Sequence, residues 1–118
     1  MTESEFTRKV CKQLQELGCL VFVAAGNKYG TAGWPDRHII TLDGDIYWLE
    51  FKSREREVTA LQKSILAAIN KRAQCTGFVV RQPDTIEYGE NYRLIFDGTG
   101  RGLLACLFKA KGLRNEKL

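Results

Sequence analysis

Residues 33–52 read GWPDRHIITLDGDIYWLEFK. Two runs rich in β-branched and aromatic residues flank the pair Asp43-Gly44 in this stretch. An Asp-Gly pair between such runs is a strong hairpin signal, because both residue types tolerate a positive φ. Folding the chain at this turn returns Asp36, which opens the first strand, to the side of Glu50, near the end of the second. The stretch therefore predicts an antiparallel hairpin with two carboxylates at its open end.

The second strand of the hairpin adds an amine to these acids. Side chains alternate across a strand, so Glu50 and Lys52 share one face and Phe51 takes the other. Two carboxylates can bind a hard divalent cation, which activates water and neutralises charge on a phosphate. Lys52 can bind that phosphate or help to deprotonate the water, although neighbouring acids disfavour the second role. Asp after Pro is also a turn opener, and Glu-x-Lys is usually a solvated ion pair. Their combination in one hairpin is what indicates a metal-dependent site.

The composition is that of an ordinary globular protein, with 44% hydrophobic and 27% charged residues. The length predicts one domain, 1–118, with a modest core. No apolar run is long enough to span a membrane and no signal-peptide pattern is visible, so we expect a cytoplasmic protein without a membrane partner. One histidine, and four cysteines without a C-x-x-C pair, argue against a zinc site and for reduced thiols. The net charge of +4 is compatible with a nucleic-acid partner but does not require one.

A helix is predicted over residues 2–18, where Thr2 and Glu5 form a capping box. Its apolar stripe is Phe6, Val10, Leu14 and Leu17. Glu3 falls in line with this stripe, and an acid there either interacts with the helix dipole or points into a site. The sequence leaves both alternatives open.

The next segments predict a buried strand over residues 19–25 and then a glycine-rich loop up to Gly33. Lys28 and Tyr29 lie at the middle of this loop, which is either a plain surface loop or a flap beside Asp36 that contacts a phosphate or a base. The loop lacks the order of a P-loop, so no nucleotide cofactor is expected.

Residues 53–57 form a charged, solvated connector to a second helix, which begins with a capping box at Thr59. Gln62 lies at the edge of the predicted apolar face, where it could cap the helix or orient a water or phosphate near Lys52. Lys63 makes the same helix basic. The predicted, mostly apolar face of this helix is traced by Leu61, Ile65, Ala68, Ile69 and Arg72.

A strand over residues 77–81 follows this helix, so the order is αβββαβ with the last strand reached by a helix crossover. This order predicts an α/β sandwich, a mixed sheet with helices on its faces. In the C-terminal extension, 83–118, residues 92–96 resemble a strand and residues 103–108 a strand or a helix. These apolar segments either complete the sheet or lie at a subunit interface.

The motifs Gly33-x-Pro35-Asp36, Glu50-Phe51-Lys52 and a following helix glutamine, Gln62, together resemble the PD-(D/E)XK nuclease superfamily. Within it the chain is similar to the VRR-NUC family, as a stand-alone member of the phage or bacterial type. The resemblance covers the core motif region, residues 2–82.

This resemblance implies a restriction-endonuclease-like fold and a DNA endonuclease that depends on Mg²⁺ or Mn²⁺. It implies that Asp36, Glu50 and the Phe51 backbone carbonyl bind the metal and that Lys52 is the catalytic lysine. An acid on the first helix often joins such sites, and by the stripe argument this is Glu3, with Glu5 as the substitute. Gln62 matches the superfamily's helix glutamine, and the expected DNA contacts are Lys28, Tyr29, Arg37 and Lys63.

Stand-alone relatives are similar to Holliday-junction resolvases, which implies a homodimer acting on branched DNA in a bacterial or phage-infected cell. A non-catalytic DNA-binding module with the same fold is an alternative, but the intact Asp36, Glu50 and Lys52 argue against it. A sequence-specific restriction-type nuclease is another, and the short chain argues against a large base-reading region.

Overall fold

The fold is a mixed sheet with helices on both faces, as predicted. The computed structural model describes residues 1–24, 32–72 and 75–117. The elements within these ranges are α1 (Glu3–Glu16), β1 (Leu20–Val23), β2 (Arg37–Ile40), β3 (Ile46–Lys52), α2 (Ala60–Asn70), β4 (Cys75–Arg81), β5 (Thr85–Tyr88), β6 (Tyr92–Ile95) and α3 (Gly100–Lys117). The strands lie in the order β1-β2-β3-β4-β5-β6. Neighbouring strands are antiparallel except β3 and β4, which are parallel because α2 connects them as a crossover.

The main core lies between the sheet and the helices α1 and α3. α1 begins at the predicted capping box, in which the Thr2 hydroxyl accepts from the Glu5 N–H at 3.1 Å. Phe51 packs into this core and meets Phe6 of α1 edge-on, with ring centroids 6.2 Å apart. Phe51 is therefore on the face opposite Glu50 and Lys52, as predicted from strand alternation.

The helix α2 covers the other face of the sheet, but the side of α2 that is buried differs from the predicted apolar face by a rotation about the helix axis. The buried residues of α2 are Ile69, which belongs to the predicted face, and Leu66, which does not, whereas Leu61 of the predicted face is 49% exposed. The reason lies on β4: Gly77 leaves room for Leu66, whose Cδ2 would be 2.8 Å from a Cβ at that position. Asn70 fixes this placement, since its side chain accepts from the Gly77 N–H at 2.6 Å and donates to the Gly77 carbonyl at 3.2 Å.

The strand β1 is not the buried strand that its composition predicted. Leu20, Phe22 and Val23 are 59%, 43% and 67% exposed, because β1 is an edge strand. Phe22 instead stacks on His38 of β2, with ring centroids 4.6 Å apart. The ring centroids of His38 and Trp48 of β3 are 4.5 Å apart. A row of rings therefore runs across the first three strands.

The hairpin is confirmed, although its turn is longer than a two-residue Asp-Gly turn. β2 ends at Ile40 and β3 begins at Ile46, so residues 41–45 connect the two strands. Gly44 has a φ of 86°, whereas no non-glycine residue in the described ranges has a positive φ. Asp43 therefore does not need the conformation that a type I′ turn would impose on it.

The C-terminal extension completes the sheet. β6 matches the predicted strand, β5 was missed, and residues 103–108 belong to the helix α3. Leu103 and Leu107 are fully buried in the main core. Ile95 and Phe108 of the same extension are 74% and 68% exposed.

None of the helices in the described ranges is both long enough and apolar enough to cross a membrane.

Candidate active site

The two predicted acids meet at the end of the hairpin. The strand register pairs Arg37 with Leu49, and continuing it by one residue places Asp36 opposite Glu50. Both oxygens of the Asp36 carboxylate lie 3.2 Å from the Phe51 backbone N, which donates to them. Glu50 is only 7% exposed, and its carboxyl group is close enough to share a hydrogen bond with that of Asp36.

Burial and mutual repulsion hold a proton on this pair. Burial, followed by the charge of Asp36, raises the pKa of Glu50 to about 8, and the charge of Lys52 opposes this only in part. Burial also raises the pKa of Asp36, against the hydrogen bonds from Glu50 and from the Phe51 N–H. A divalent cation between the two carboxylates would relieve the repulsion and replace the proton.

Gln62 takes the capping role that its position left open, and it also binds one of the acids. Its side-chain oxygen accepts from the Thr59 N–H at 2.9 Å and so closes the capping box of α2. Its amide nitrogen donates to the Glu50 carboxylate at 3.3 Å. The start of α2 is therefore tied directly to one of the acids.

Lys52 and the Phe51 carbonyl lie beside the acids. Lys52 is 3% exposed and shares the face of Glu50, near enough for its charge to affect that carboxyl group. Within a strand the N–H and C=O of one residue point to the same neighbour, so the Phe51 carbonyl points to the side of Asp36. Pro35 stands opposite Phe51 when the register is continued, and it has no N–H to donate to this carbonyl.

Glu3 lies near this end of the sheet but makes different contacts. Its carboxylate accepts from the Ser53 N–H at 2.9 Å and from Arg56 at 3.0 Å. Among the described residues no three acidic, histidine or cysteine side chains form a group that could hold a metal. Glu3 does line an open cleft together with Asp36, whereas Glu5 is held in the capping box. Which of the two contributes to the site stays a prediction.

The expected DNA contacts lie in different places. Arg37 lines the same cleft as Asp36. Lys63 lines a separate cavity beside β5 and β6, whose lining includes neither Asp36 nor Glu50. Lys28 and Tyr29 lie outside the described residues.

Arg81 holds the connector that follows Lys52, a role that the sequence did not predict. Its guanidinium donates to the backbone carbonyls of Ser53 at 3.0 Å and of Arg56, and it pairs with Glu87 at 3.1 Å. The charged connector, residues 53–57, is therefore solvated as predicted but is held against β4. The only sequence signal for this role is a cation that ends an apolar strand.

Comparison with known proteins identifies the fold. A solved structure described as a VRR_NUC domain is similar to this chain, with a TM-score of 0.58 and 25% sequence identity. The similarity covers 67% of this chain and 83% of that structure. No family model matches the chain, and no curated protein matches it. The chain therefore has the restriction-endonuclease-like fold that its motifs predicted, and its similarity to a VRR_NUC domain supports a nuclease domain of the PD-(D/E)XK type.

Proposed function

We propose that this protein is an endonuclease that hydrolyses phosphodiester bonds of DNA and depends on Mg²⁺ or Mn²⁺. The observation that supports this is the buried pair of Asp36 and Glu50, with Lys52 on the same face, in a VRR-NUC fold. Two carboxylates that repel each other in a buried place destabilise a protein, so a site that keeps them favours a cation as their partner.

The donor groups suit a hard cation. Asp36, Glu50 and the Phe51 carbonyl offer oxygen ligands, which Mg²⁺ and Mn²⁺ prefer. When bound, the ion would supply an activated water and neutralise charge on the phosphate. Asp36 and Glu50 would give up their shared proton when the ion binds, and the hydrogen bond from Gln62 orients the Glu50 carboxylate. Lys52 places a positive charge beside the phosphate, where it stabilises the negative charge of the transition state.

Asp36→Asn tests this site. The substitution removes a charged ligand and keeps the size of the side chain, so we expect metal-dependent cleavage to fall at least 100-fold, since a metal ligand contributes several kcal/mol. Asp43→Asn is the matched control, because Asp43 is exposed in the loop of the same hairpin. Circular dichroism checks that both variants fold. Equal cleavage by Asp36→Asn and Asp43→Asn at low metal would contradict the proposal.

We further propose that the protein acts as a homodimer on branched DNA such as a four-way junction, in the cytoplasm. One chain supplies one acid pair, enough for one strand cut, whereas resolving a junction needs two symmetric cuts. A twofold dimer supplies both. Most of the apolar extension is buried within the chain, but Ile95 and Phe108 remain exposed and are available for a subunit contact. Free thiols at Cys11, Cys19 and Cys106 suit a reducing compartment.

Light scattering at micromolar concentration should give the mass of a dimer. In parallel, cleavage with Mg²⁺ is compared on linear duplex, flap, fork and four-way junction DNA of one sequence, and we expect the junction to be cut fastest. A monomeric mass together with equal cleavage of linear and junction DNA would instead indicate a simple nicking nuclease.

A further inference from the structure

An open cleft of about 670 Å³ runs between α1 and the edge of the sheet and reaches Asp36, one of the two acids. Its lining comes from one side of α1, from β1 and from the start of β2. The described residues that line it are Glu3, Ser4, Thr7, Arg8, Cys11, Lys12, Gln15, Val21, Val23, Asp36 and Arg37. The cleft is thus a continuation of the candidate active site along the first helix.

The charges in the cleft are separated along its length. Glu3 and Asp36 lie at the end next to the active site, and the charge of Glu3 is already paired with Arg56. The cation Arg37 also lies at this end, since its guanidinium donates to the Asp36 carbonyl at 3.0 Å. The remaining cations of the lining, Arg8 and Lys12, lie further along α1. None of the ion pairs found in the described part of the chain involves these three cations. The cleft therefore offers positive charge to an anionic ligand that leads away from the acids.

The spacing of these cations suits a polymer rather than a single anion. Arg8 and Lys12 are four residues apart on α1, so they lie on the same side of the helix, one turn apart. From Glu3 to Gln15 the helix rises about 18 Å, at about 1.5 Å per residue. A stacked DNA strand advances about 3.4 Å per nucleotide, so this length corresponds to about five nucleotides.

We infer that this cleft binds the DNA strand that is cut, on one side of the scissile phosphate, with Arg8, Lys12 and Arg37 on successive phosphates. The inference rests on the proposed nuclease function and specifies how the substrate reaches its site. The contacts go to the backbone, so they position the strand without reading its sequence.

Arg8→Gln, Lys12→Gln and the double variant test the cleft, with Lys9→Gln as the matched control. Lys9 is on the same helix and exposed, but it is not among the cleft residues. Glutamine keeps the helix propensity of the three positions and removes only the charge. Binding of fluorescently labelled duplex is measured by anisotropy in EDTA, which prevents cleavage, over a range of salt concentrations.

Each phosphate contact contributes about 0.9 to the slope of log affinity against log salt concentration. Because this slope is negative, we expect its magnitude to fall by about 0.9 in each single variant, by about 1.8 in the double variant, and not to change in Lys9→Gln. We also expect the cleavage rate of the unaltered protein to drop when the DNA on one side of the cut is shorter than about five nucleotides. Equal slope changes in Lys9→Gln and Arg8→Gln, or no change in any variant, would overturn the inference.

The same data separate this inference from the proposed function. If the unaltered protein cuts DNA with Mg²⁺ and the cleft variants show the same salt dependence of binding, the inferred role of the cleft is wrong and the nuclease function stands. If the cleft variants lose slope but the unaltered protein does not cut, the cleft binds DNA and the nuclease function is wrong. A protein that binds no DNA in any of these conditions overturns both.

Discussion

Glu50→Gln should make the metal-free protein more stable while removing its activity. Burial and the neighbouring Asp36 raise the pKa of Glu50 from 4.5 to about 8. Below pH 4.5 the carboxyl group is protonated in the folded and the unfolded chain alike. As the pH rises from 4.5 to 8, the unfolded chain releases this proton first, which favours unfolding. Above pH 8 the free energy of unfolding has been lowered by the full amount, and a glutamine, which does not ionise, avoids this loss.

The size of this effect follows from the pKa difference. One pKa unit corresponds to about 1.4 kcal/mol, so the full difference would be roughly 5 kcal/mol. Asp36 shares the proton, so we expect about 3 kcal/mol as the gain in the free energy of unfolding at pH 8.5. At about 4 °C per kcal/mol, the melting temperature of the variant should exceed that of the unaltered protein by about 12 °C. At pH 4.5 the two melting temperatures should be nearly equal.

The assay is thermal unfolding followed by circular dichroism in EDTA at several pH values, and Glu87→Gln is its control. Burial alone raises the pKa of Glu87, but the hydrogen bonds and charges of Arg81 and Arg93 lower it overall. Its pairing therefore stabilises the fold at neutral pH, and the same substitution there should lower the melting temperature. If Glu50→Gln unfolds at the same or a lower temperature than the unaltered protein at pH 8.5, the reasoning about the acid pair is refuted.

Two further predictions concern the groups beside the pair. Lys52→Ala should reduce cleavage far more than DNA binding. One of 18 basic residues contributes little to affinity, whereas the charge of Lys52 lies beside the acid pair, where it acts on the transition state. Equal losses in cleavage rate and in affinity measured by anisotropy would contradict this. Glu3→Gln should slow metal-dependent cleavage more than Glu5→Gln, because Glu3 lines the cleft with Asp36, whereas Glu5 belongs to the capping box. A larger loss in single-turnover rate for Glu5→Gln would reverse the assignment.

The sequence predicted the features whose geometry is local. The hairpin brings Asp36 to Glu50 because strand pairing fixes the positions of residues that a single turn connects. The capping boxes at Thr2 and Thr59 were predicted for the same reason, since each satisfies backbone groups three residues away. The crossover and the mixed sheet followed from the order of the elements.

The features that were missed depend on partners far along the chain. The rotation of α2 is set by Gly77, a residue of the following strand that leaves space for Leu66. The exposure of β1 depends on its being the edge strand, which its apolar composition does not reveal. Arg81 holds the connector through the backbone carbonyls of Ser53 and Arg56, and carbonyls have no residue-specific signal in a sequence.

The acid pair is located where strand pairing stops. Pro35 precedes Asp36 and has no N–H, so the ladder between β2 and β3 cannot continue past this point. The Phe51 N–H, which a longer β2 would have paired with backbone, donates instead to the Asp36 carboxylate. The same interruption leaves the Phe51 carbonyl facing the acids without a donor from Pro35. Gln62 then links Glu50 to the start of α2, so the capping box and the candidate metal site use one side chain. The motif thus combines Pro35, which ends the strand pairing, with the two acids that meet at that point. Because Gln62 serves both, the stability of the first turn of α2 affects the geometry of the site.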